Sequence, residues 1–495
     1  MISFKKNTPT KSSNLLYKHK DIAKLILLIL LGFCIGTIIV LDPFIVNQVS
    51  SEYLKTSSYS VTILIFILIT CIYLIYIYFD KITQNIVYIA ILGIIIGDQT
   101  KGITPGVDLA DVVIIFSVFL WLIQNFMKNR FTFEVNKFNF IILALLFIIF
   151  LSMMNGGTKS VVYFITKGLR NFLAIFIIIV NVDNKKKINF FIKSLIIVTS
   201  ISAIIGICQE ILFGYAGIIF PARHHVPMGL LVEETAIGTM LRISALVGSQ
   251  QDLGNILAVT LAISFYLVIS LNIRIFERKK YVFLCILFMS IALVLTFSTG
   301  AWLAVVFSTY IGIYFRKASY SIHFVLLSIG VIILAYFTGL LNEFGNFVNS
   351  ELQLKSDLSV RLQMIRTTIE KAFVQHPYIG RGIGNSPIYI SNIYGWPPHN
   401  TFVQVLAEIG IMGLIIYSLI FIDTSVKLFA YIVRLKEGKD RTVVTLLLMG
   451  FLSLIVYLQF SPFFMQLFPW IYLGILRSTI QVFSNRGHPV NYQHT

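Results

Sequence analysis

Long runs of apolar residues, separated by short polar stretches, are the feature that most limits what this chain can fold into. A helix needs about 20 residues, at ~1.5 Å each, to cross the roughly 30 Å hydrocarbon layer of a bilayer. Of the 495 residues 57% are hydrophobic and 12% are charged, about half the ~25% of charged residues in soluble domains. The sequence therefore predicts an all-α, polytopic integral membrane protein and excludes a water-soluble globule.

Fourteen apolar runs are candidate membrane spans; three of them are short enough to be tilted or re-entrant, so we expect about 12–14 transmembrane helices. The runs lie near residues 22–46, 59–79, 84–97, 109–127, 138–154, 163–181, 188–213, 253–272, 281–297, 300–316, 322–341, 399–423, 442–460 and 466–480. The predicted organisation is a cytoplasmic basic tail at 1–21, helices 1–11 at 22–341 with an outer loop at 214–252, an extracytoplasmic loop at 342–398, helices 12–14 at 399–480 and a cytoplasmic tail at 481–495.

Lysine and arginine residues indicate the orientation of these spans. With the amino terminus in the cytoplasm, 27 of the 39 basic residues fall on the cytoplasmic side, as the positive-inside rule requires. The net charge of +17 is therefore explained by orientation, and no nucleic-acid partner is expected. We expect a multi-pass protein with both termini in the cytoplasm.

Basic residues on the outer side, against this rule, need a local reason. Seven of them lie in the two long outer segments, among them Arg242 and Arg361, and Lys167 and Arg170 occupy the outer half of the sixth span. Outer loops also need soluble side chains, which is a sufficient explanation for any single residue. As a set, cations at this depth suit a diphosphate, because guanidinium groups bind phosphate through two hydrogen bonds.

The outer segment 342–398 contains a helical pattern, because apolar residues recur there at spacings of three and four. The apolar set is Leu362, Ile365, Ile369 and Phe373, and the basic residues predicted on the polar side are Arg361, Arg366 and Lys371. His376-Pro377 ends the pattern. We predict an amphipathic helix that lies on the outer membrane face or covers a cavity.

Three alternating glycines, Gly380, Gly382 and Gly384, follow this helix and flank Arg381. Glycine permits a tight turn and a close approach to a ligand, and Arg381 could meet an anion. The alternative is a merely flexible loop. No strand precedes the glycines, so a dinucleotide-binding fingerprint is excluded.

His399 opens the twelfth span directly after Trp396-Pro397-Pro398. An imidazole at this position can act as an acid, a base or an anion donor. The alternative is a polar residue that only begins the helix. Asn400, Gln404 and Glu408 follow at four-residue spacing, which predicts a polar stripe facing away from lipid, with Glu408 in either a functional or a structural role.

No metal site or cofactor is predicted. His224 and His225 are adjacent, so both cannot bind one ion with ordinary geometry, although Glu233 and Glu234 follow them. The four cysteines lie in apolar runs without Cys-x-x-Cys or Cys/His spacing.

The stretch from Arg361 to Gly413 resembles the O-antigen ligase and polymerase family of bacterial envelope glycan enzymes. The matching parts are Arg361, the His-Pro-x-x-Gly-x-Gly-x-Gly run at 376–384, Pro-His-Asn-x-Phe at 398–402 and Glu-x-Gly-x-x-Gly at 408–413. The sequence from Arg242 to Gly254 is also similar, so the resemblance covers about 240–415. The family usually has arginine where this chain has Thr299, and Lys167 or Arg170 could replace it.

The resemblance implies a metal-independent glycosyltransferase that uses a polyprenyl-diphosphate-linked oligosaccharide as donor at the outer face of the bacterial cytoplasmic membrane. The residues implied for the diphosphate are Arg242, Arg361, Arg381, Lys167 and Arg170; His399 is implied for catalysis, and Asn400 and Glu408 for support. Membrane lipids, a chain-length regulator and the flippase of the same pathway are the other expected partners.

The acceptor separates two activities within this family. A second lipid-linked repeat unit as acceptor would make the enzyme a polysaccharide polymerase, and a final anchor would make it a ligase. The Ile-, Lys- and Asn-rich composition indicates a low-GC genome, which favours a polymerase for a capsule or wall polymer. A flippase is a further alternative, but the chain has no internal repeat of the kind common in transporters. A purely structural envelope protein would not need Arg242, Arg361 and His399.

Overall fold

A computed structural model describes residues 88, 91–96, 109–128, 137–217, 232–235, 238–247, 249–270, 275–276, 278–316, 354–386 and 398–484. The candidate spans at 22–46, 59–79 and 322–341, the histidine pair at 224–225, the amino-terminal tail and residues 485–495 of the carboxy-terminal tail lie outside these residues. The chain divides into two compact units, Met1–Ile86 with Phe116–Glu134, and Val87–Ile115 with Val135–Thr495. The site described below lies entirely in the second unit.

Helices account for most of the described residues. They are α1 (Leu109–Lys128), α2 (Lys137–Tyr163), α3 (Leu169–Asn181), α4 (Lys185–Ala216), α5 (Gln250–Ile269), α6 (Lys279–Leu295), α7 (Thr299–Arg316), α8 (Leu354–Thr368), α9 (Thr401–Arg434), α10 (Lys439–Tyr457) and α11 (Leu467–Ser484). A π-helical turn, Phe164–Gly168, joins α2 to α3, and a second one, Ile369–Phe373, extends α8.

Five helical segments in the described part of the chain are long and apolar enough to cross a membrane. They are Lys137–Asn181, Lys185–Ala216, Gln250–Ile269, Thr401–Arg434 and Lys439–Tyr457. The predicted all-α, polytopic membrane fold is confirmed. A small antiparallel hairpin of β1 (Val232–Thr235) and β2 (Gly238–Leu241) lies in the outer loop, where no strand was predicted.

Helix α5 lies at the centre of the packing and contacts α6, α7 and α10. Its sequence places small residues among branched ones, and almost every side chain from Asp252 to Leu267 is buried. Small residues let neighbouring helices approach closely in a bilayer, where apolar burial alone gives little association. By contrast, α2 leaves Phe140, Phe147 and Phe150 more than half exposed, as expected of side chains that contact lipid.

Two of the long helices are broken at a glycine. Gly157 in α2 has φ 62° and ψ −160°, and Gly410 in α9 has φ 70° and ψ −172°. This region of backbone space is open almost only to glycine. A break exposes backbone N–H and C=O groups that the bilayer cannot satisfy, so other protein groups must pair with them.

Charged contacts join helix ends that the predicted topology places on the same side. Lys185 at the start of α4 pairs with Asp440 at the start of α10, and both are predicted cytoplasmic. Arg170 pairs with Asp111 at 3.2 Å, and both are predicted near the outer surface. The site described next lies at the predicted outer end.

Candidate functional site

Arg242 lies in a short irregular segment between β2 and α5. The side chain of Gln209 holds this segment, because its Nε2 donates to the carbonyl of Ala245 and its Oε1 accepts from the amide of Ala245, both at 2.8 Å. Ala245 has a φ of 49°, which is rare for a residue with a Cβ. Arg242 is half-buried and its Nε is buried. The backbone that carries Arg242 is therefore firmly held.

A second strained turn lies beside the first. The amide of Ile243 donates to the carbonyl of Leu295 at 3.2 Å, which joins the Arg242 segment to the end of α6. Two residues later Phe297 has a φ of 52°, and Thr299 then begins α7. Strained backbone of this kind concentrates at functional sites. Both strained turns border the region where the resemblance predicts diphosphate binding.

Tyr457, which the sequence analysis missed, connects three of these segments. Its hydroxyl donates to the carbonyl of Gln251 at 2.7 Å and lies 3.2 Å from the Ser298 hydroxyl. The side chain is fully buried. The end of α10 is thereby fixed to the start of α5 and to the turn before α7.

Charges of both signs lie near this hydroxyl. Asp252 and Arg361 both act electrostatically on Tyr457. Asp252 is buried, and Arg361 is half-buried with a buried Nε. The outer helix α8 therefore places Arg361 within electrostatic range of the end of α10.

The orientation of α8 differs from the sequence prediction. Met364 and Thr368 are buried, and Arg361 lies on the same face because residues three and seven positions apart share a helix face. Arg361 is therefore not on the exposed polar side where it was predicted. Arg366 is on that side: its side chain is 80% exposed and pairs with Glu370 at 2.7 Å. The spacing of apolar residues predicted the wrong buried face of α8, because the face that is buried carries Arg361 as well as Met364 and Thr368.

His399 lies half-buried just before α9, and its Nδ1 is buried. The helix-capping role belongs to Asn400, whose Oδ1 accepts from the amides of Phe402 and Val403 at 2.9 and 3.1 Å. Asn400 therefore accepts the hydrogen bonds of the amides in the first turn of α9, and His399 lies one residue before this cap.

The connector Leu458–Gln466 between α10 and α11 brings His399 close to Tyr457 in the fold. The Thr401 amide donates to the carbonyl of Leu458 at 2.9 Å, and the Thr401 hydroxyl donates to the carbonyl of Ser461 at 2.6 Å. The amide of Phe463 donates to the same hydroxyl at 2.9 Å. The sequence analysis missed this connector; its aromatic, uncharged composition was the available signal.

The loop at 376–386, here called the glycine loop, crosses α9 at the break. Gly380, Gly382 and Gly384 all have positive φ. Backbone hydrogen bonds join the loop to α9 on both sides of Gly410. Before the break, the amides of Arg381 and Gly382 donate to the carbonyls of Ala407 and Glu408 at 3.1 and 2.9 Å. After it, the amides of Ile411 and Met412 donate to the carbonyls of Pro377 and Tyr378 at 2.9 and 3.2 Å. The loop thus pairs with backbone groups that the break exposes.

The three glycines permit a close approach of the loop backbone to other parts of the protein, and not to a ligand as predicted. A Cβ on Gly380 would lie 2.4 Å from the backbone of Glu408, and one on Gly382 would lie 2.5 Å from the Cα of Gly156. Gly384 packs against the ring of Tyr163 in the same way. The glycines therefore allow the loop to fit between the broken helices α2 and α9.

Arg381 lies in this loop, beside Ala407 in the second turn of α9. It is half-buried, its Nη1 is buried, and this partial burial lowers the pKa of its guanidinium group. An arginine pKa normally exceeds ~12, so the group keeps its charge at neutral pH.

Lys167 and Arg170 lie around the start of α3, next to the connector. Arg170 is buried and pairs with Asp111, and the neighbouring Asn171 donates to the carbonyl of Met465 at 2.9 Å. Lys167 is half-buried in the π-helical turn before α3. The structure thus gives Arg170 a protein carboxylate as a partner, whereas the resemblance implied the diphosphate.

The polar stripe on α9 faces the protein interior, as predicted. Gln404 and Glu408 are both buried. Glu408 Oε1 accepts from the Ser386 hydroxyl at 2.8 Å and from Gln404 Nε2 at 3.0 Å. The stripe therefore connects α9 to the end of the glycine loop.

Other possible binding features lie elsewhere. An apolar cavity of about 590 Å³ lies between α7, α9 and α10 and is lined by Phe307, Phe315 and Phe429 among others. Its lining is nearer the predicted cytoplasmic ends of these helices than Tyr457 is. Among the described residues, no cluster of three or more His, Cys, Asp or Glu side chains could hold a metal ion.

A family model matches part of the chain. Residues 284–418 match the family model described as O-antigen ligase (Wzy_C). The match contains Arg361, the glycine loop, His399 and Glu408, whereas Arg242 and Tyr457 lie outside it. No curated protein matches the chain. The resemblance predicted from the motifs between Arg361 and Gly413 is confirmed.

Proposed function

We propose, from the O-antigen ligase domain that this chain carries, that the protein polymerises polyprenyl-diphosphate-linked oligosaccharide repeat units at the outer face of the cytoplasmic membrane. The domain and the apolar helices identify a multi-pass bacterial membrane protein with a glycan ligase- or polymerase-type role. The observation that carries the finer proposal is that Arg361 and Asp252 both lie within electrostatic range of Tyr457, whose end of α10 is hydrogen-bonded to the segment that follows His399.

In the proposed reaction, Arg242 and Arg361 bind the diphosphate of the donor. Each places a guanidinium group with a buried Nε at the predicted outer end of the helices. As the bond between the anomeric carbon and the phosphate oxygen breaks, the polyprenyl diphosphate leaves with the electron pair and gains negative charge. Fixed guanidinium groups in a partly desolvated site stabilise that charge, which is the role a metal would otherwise fill.

His399 is the proposed general base. A hydroxyl of the acceptor sugar attacks the anomeric carbon, and its proton passes to the imidazole. Asn400 caps α9 and so leaves His399 outside the first helical turn, at the junction with the connector. Arg381 is the proposed further contact to the diphosphate. Lys167 and Arg170 stay predictions for the same group, and Arg170 also pairs with Asp111.

The second candidate is a ligase that moves the finished glycan to a final acceptor, and the description of the matched family favours it. We favour the polymerase because the composition indicates a low-GC, Gram-positive type of genome, where no lipid A core exists to accept the chain. The proposed partners are the lipid-linked donor, surrounding membrane lipids, a chain-length regulator and the flippase of the same pathway.

The experiment that separates these candidates is analysis of polyprenyl-linked glycans in a strain lacking the protein. The proposal predicts single repeat units on the outer face of the membrane. Long, unattached lipid-linked chains there would indicate the ligase. Units retained on the inner face would indicate a flippase and contradict the proposal.

Variants returned to this strain test the site. Arg361→Ala, Arg242→Ala and His399→Ala should each lower polymer about 100-fold or more at normal membrane abundance, the loss typical for removing one group that stabilises transition-state charge. Arg366→Ala is the matched control: it lies on the same helix as Arg361 but forms an exposed ion pair of little consequence. Equal losses from Arg361→Ala and Arg366→Ala would refute the assignment of Arg361.

A further inference from the structure

Glu408 is a buried carboxyl group that the proposed chemistry does not use. It is fully buried in the outer half of α9. A carboxyl group in an apolar interior is unfavourable unless hydrogen bonds compensate it. Its hydrogen bonds come from uncharged donors: the Ser386 hydroxyl at 2.8 Å, Gln404 Nε2 at 3.0 Å and the backbone amides of Gly384 and Ser386.

The Ser386 contact closes the glycine loop onto α9. The loop already pairs its backbone with residues 407 and 408 through the amides of Arg381 and Gly382. Ser386 lies four residues beyond Gly382, and its hydrogen bond to Glu408 brings the end of the loop back to the same helix turn. Arg381 is therefore part of one attachment to α9, and Ser386 provides a second.

Helix α2 holds the opposite side of the loop. Asn155 Nδ2 donates to the carbonyl of Gly380 at 2.8 Å, and the Ser160 hydroxyl donates to the carbonyl of Ile383 at 2.8 Å. Asn385 Nδ2 donates to Ser160 Oγ at 3.0 Å, and also bonds the carbonyl of Arg381 at 3.1 Å. The carbonyl of Arg381 and both flanks of the loop are thus fixed by side chains.

We propose that Glu408 is a positioning residue for the donor diphosphate. Through Ser386 it holds the glycine loop between α2 and α9, and the loop holds the guanidinium of Arg381 in place for the diphosphate. This inference rests on the proposed function, because it assigns Arg381 a contact with the donor. We call the pair Glu408 and Ser386 the loop latch.

The latch requires hydrogen bonding and not a negative charge. Glutamine at 408 would keep an oxygen that accepts from Ser386, whereas alanine would remove it. Gln404 is itself held, because its Oε1 accepts from the amide of Phe464 at 3.3 Å. Glu408→Gln should therefore keep the latch, and Glu408→Ala should open it. Ser386→Ala should weaken it, because the backbone amides of Gly384 and Ser386 still reach Glu408.

The first test measures the loop itself, independently of transfer. A cysteine-free background is made by replacing Cys34, Cys71, Cys208 and Cys285, and Ile383→Cys is added as a probe because Ile383 is fully buried in the loop. Ser386→Ala should speed labelling of Cys at this position by a membrane-impermeant maleimide about fivefold, as expected when one buried hydrogen bond is lost. Ser386→Thr, which keeps the hydroxyl, should restore slow labelling. Tyr378→Cys, 69% exposed before substitution, should label quickly with or without the latch.

The second test measures the donor KM of the full-length protein in vesicles. Ser386→Ala should raise the donor KM about fivefold, a change that loss of folded protein alone does not produce because KM is independent of enzyme amount. In an Arg381→Ala background the same substitution should have no further effect, because the latch acts through Arg381. Ser453→Ala is the matched control: this buried serine makes no hydrogen bond among the described residues, so both measurements should stay unchanged.

Three results would overturn the proposal. One is faster labelling with an unchanged donor KM; another is a full effect of Ser386→Ala in the Arg381→Ala background. The third is a Glu408→Gln protein as impaired as Glu408→Ala. If instead His399→Ala and Arg242→Ala retained normal polymer, the proposed function would fail whatever the labelling of the loop showed.

Discussion

At the scale of single residues, the face of a helix on which a basic side chain lies determines what that side chain can bind. Arg361 and Arg366 lie on the same outer helix, yet Arg361 is half-buried and acts electrostatically on Tyr457 whereas Arg366 pairs with Glu370 at the surface. A guanidinium group held in a partly desolvated site acts more strongly on a bound anion than an exposed one, because water screens it less. A basic residue in an outer segment is therefore assigned to the site only when its guanidinium group is partly buried, as that of Arg361 is.

Tyr457 gives the sharpest single-residue prediction. Tyr457→Phe keeps the ring, which stacks on Phe463 at 5.4 Å, but removes the hydroxyl that contacts Gln251 and Ser298. The hydrogen bond is worth about 1 kcal/mol, so stability should fall only slightly. Transfer should fall about tenfold because this hydroxyl no longer joins the ends of α5 and α10 and the turn before α7 near Arg361, a loss of ~1.4 kcal/mol in transition-state stabilisation. Polymer yield at matched membrane abundance measures this.

A matched control exists in the same part of the chain. Tyr472 is also buried, and its hydroxyl donates to the carbonyl of Leu447 at 2.8 Å within the packed helices. Tyr472→Phe should lose a similar hydrogen bond and leave transfer unchanged. If the two variants lose transfer equally, Tyr457 has no special relation to the site.

Sequence reasoning found some of these residues and could not find others. Arg361, Arg381 and His399 lie in a recognisable motif, and their chemistry indicates anion binding or proton transfer. Tyr457 ends an ordinary apolar run and Asp252 follows an ordinary helix cap, so neither is distinguishable without knowing which helix ends meet. Their role depends on contacts between segments about 100 to 200 residues apart.

At the scale of elements, the two broken helices determine where the glycine loop lies. The motif was read as a place where backbone approaches a ligand, but its glycines meet Glu408, Gly156 and Tyr163. Spacing alone shows that a close approach is required, and it does not show what is approached. The break at Gly410 could not be predicted either, because the sequence of an apolar helix does not show whether a glycine within it has a helical backbone conformation.

The breaks give a prediction with an internal control. Gly157 and Gly410 share an extended backbone with positive φ, but a Cβ on Gly410 would lie 2.3 Å from the carbonyl oxygen of Tyr378, whereas Gly157 has nothing within 4 Å. Both Ala substitutions should lower stability by about 1–3 kcal/mol through the strained backbone. Gly410→Ala should cost more because it also displaces the glycine loop.

Thermal unfolding of the purified protein in detergent measures both variants. We expect Gly410→Ala to lower Tm clearly further than Gly157→Ala. An equal shift would mean that the loop does not pack against the break as described.

Element boundaries were predicted best where helices are uniformly apolar. Helices α5 and α6 begin and end within three residues of the predicted spans. Helix α9 instead continues to Arg434, beyond the predicted end at 423, because its last turns alternate polar and apolar residues. There Lys427 pairs with Asp423 at 2.6 Å, so charged residues continue the helix instead of ending it.

At the scale of the whole molecule, hydropathy predicted the fold class because the bilayer, rather than a soluble core, accommodates the apolar surface. The arrangement of helices was not predictable in the same way. It depends on small residues such as Gly254 and Gly300, whose Cβ positions would lie 3.0 Å from Ser298 and 2.6 Å from Phe460.

The mechanism requires one orientation of this assembly. Reporter fusions at Lys186 and Asn346 should report the cytoplasm and the exterior respectively, because the basic residues at 185–187 follow the positive-inside rule. Alkaline phosphatase should be active only in the Asn346 fusion, and a cytoplasmic fluorescent reporter only in the Lys186 fusion. The reverse pattern would place the site on the side of the membrane that the proposed donor does not reach.

The most direct test of the central claim supplies the purified full-length protein, in proteoliposomes, with a polyprenyl-diphosphate-linked single repeat unit as the only glycan. We predict a ladder of longer lipid-linked chains, with one polyprenyl diphosphate released for each bond formed, and no ladder from an equal amount of His399→Ala protein. A donor left unextended, or a ladder formed at the same rate by His399→Ala, would contradict the account.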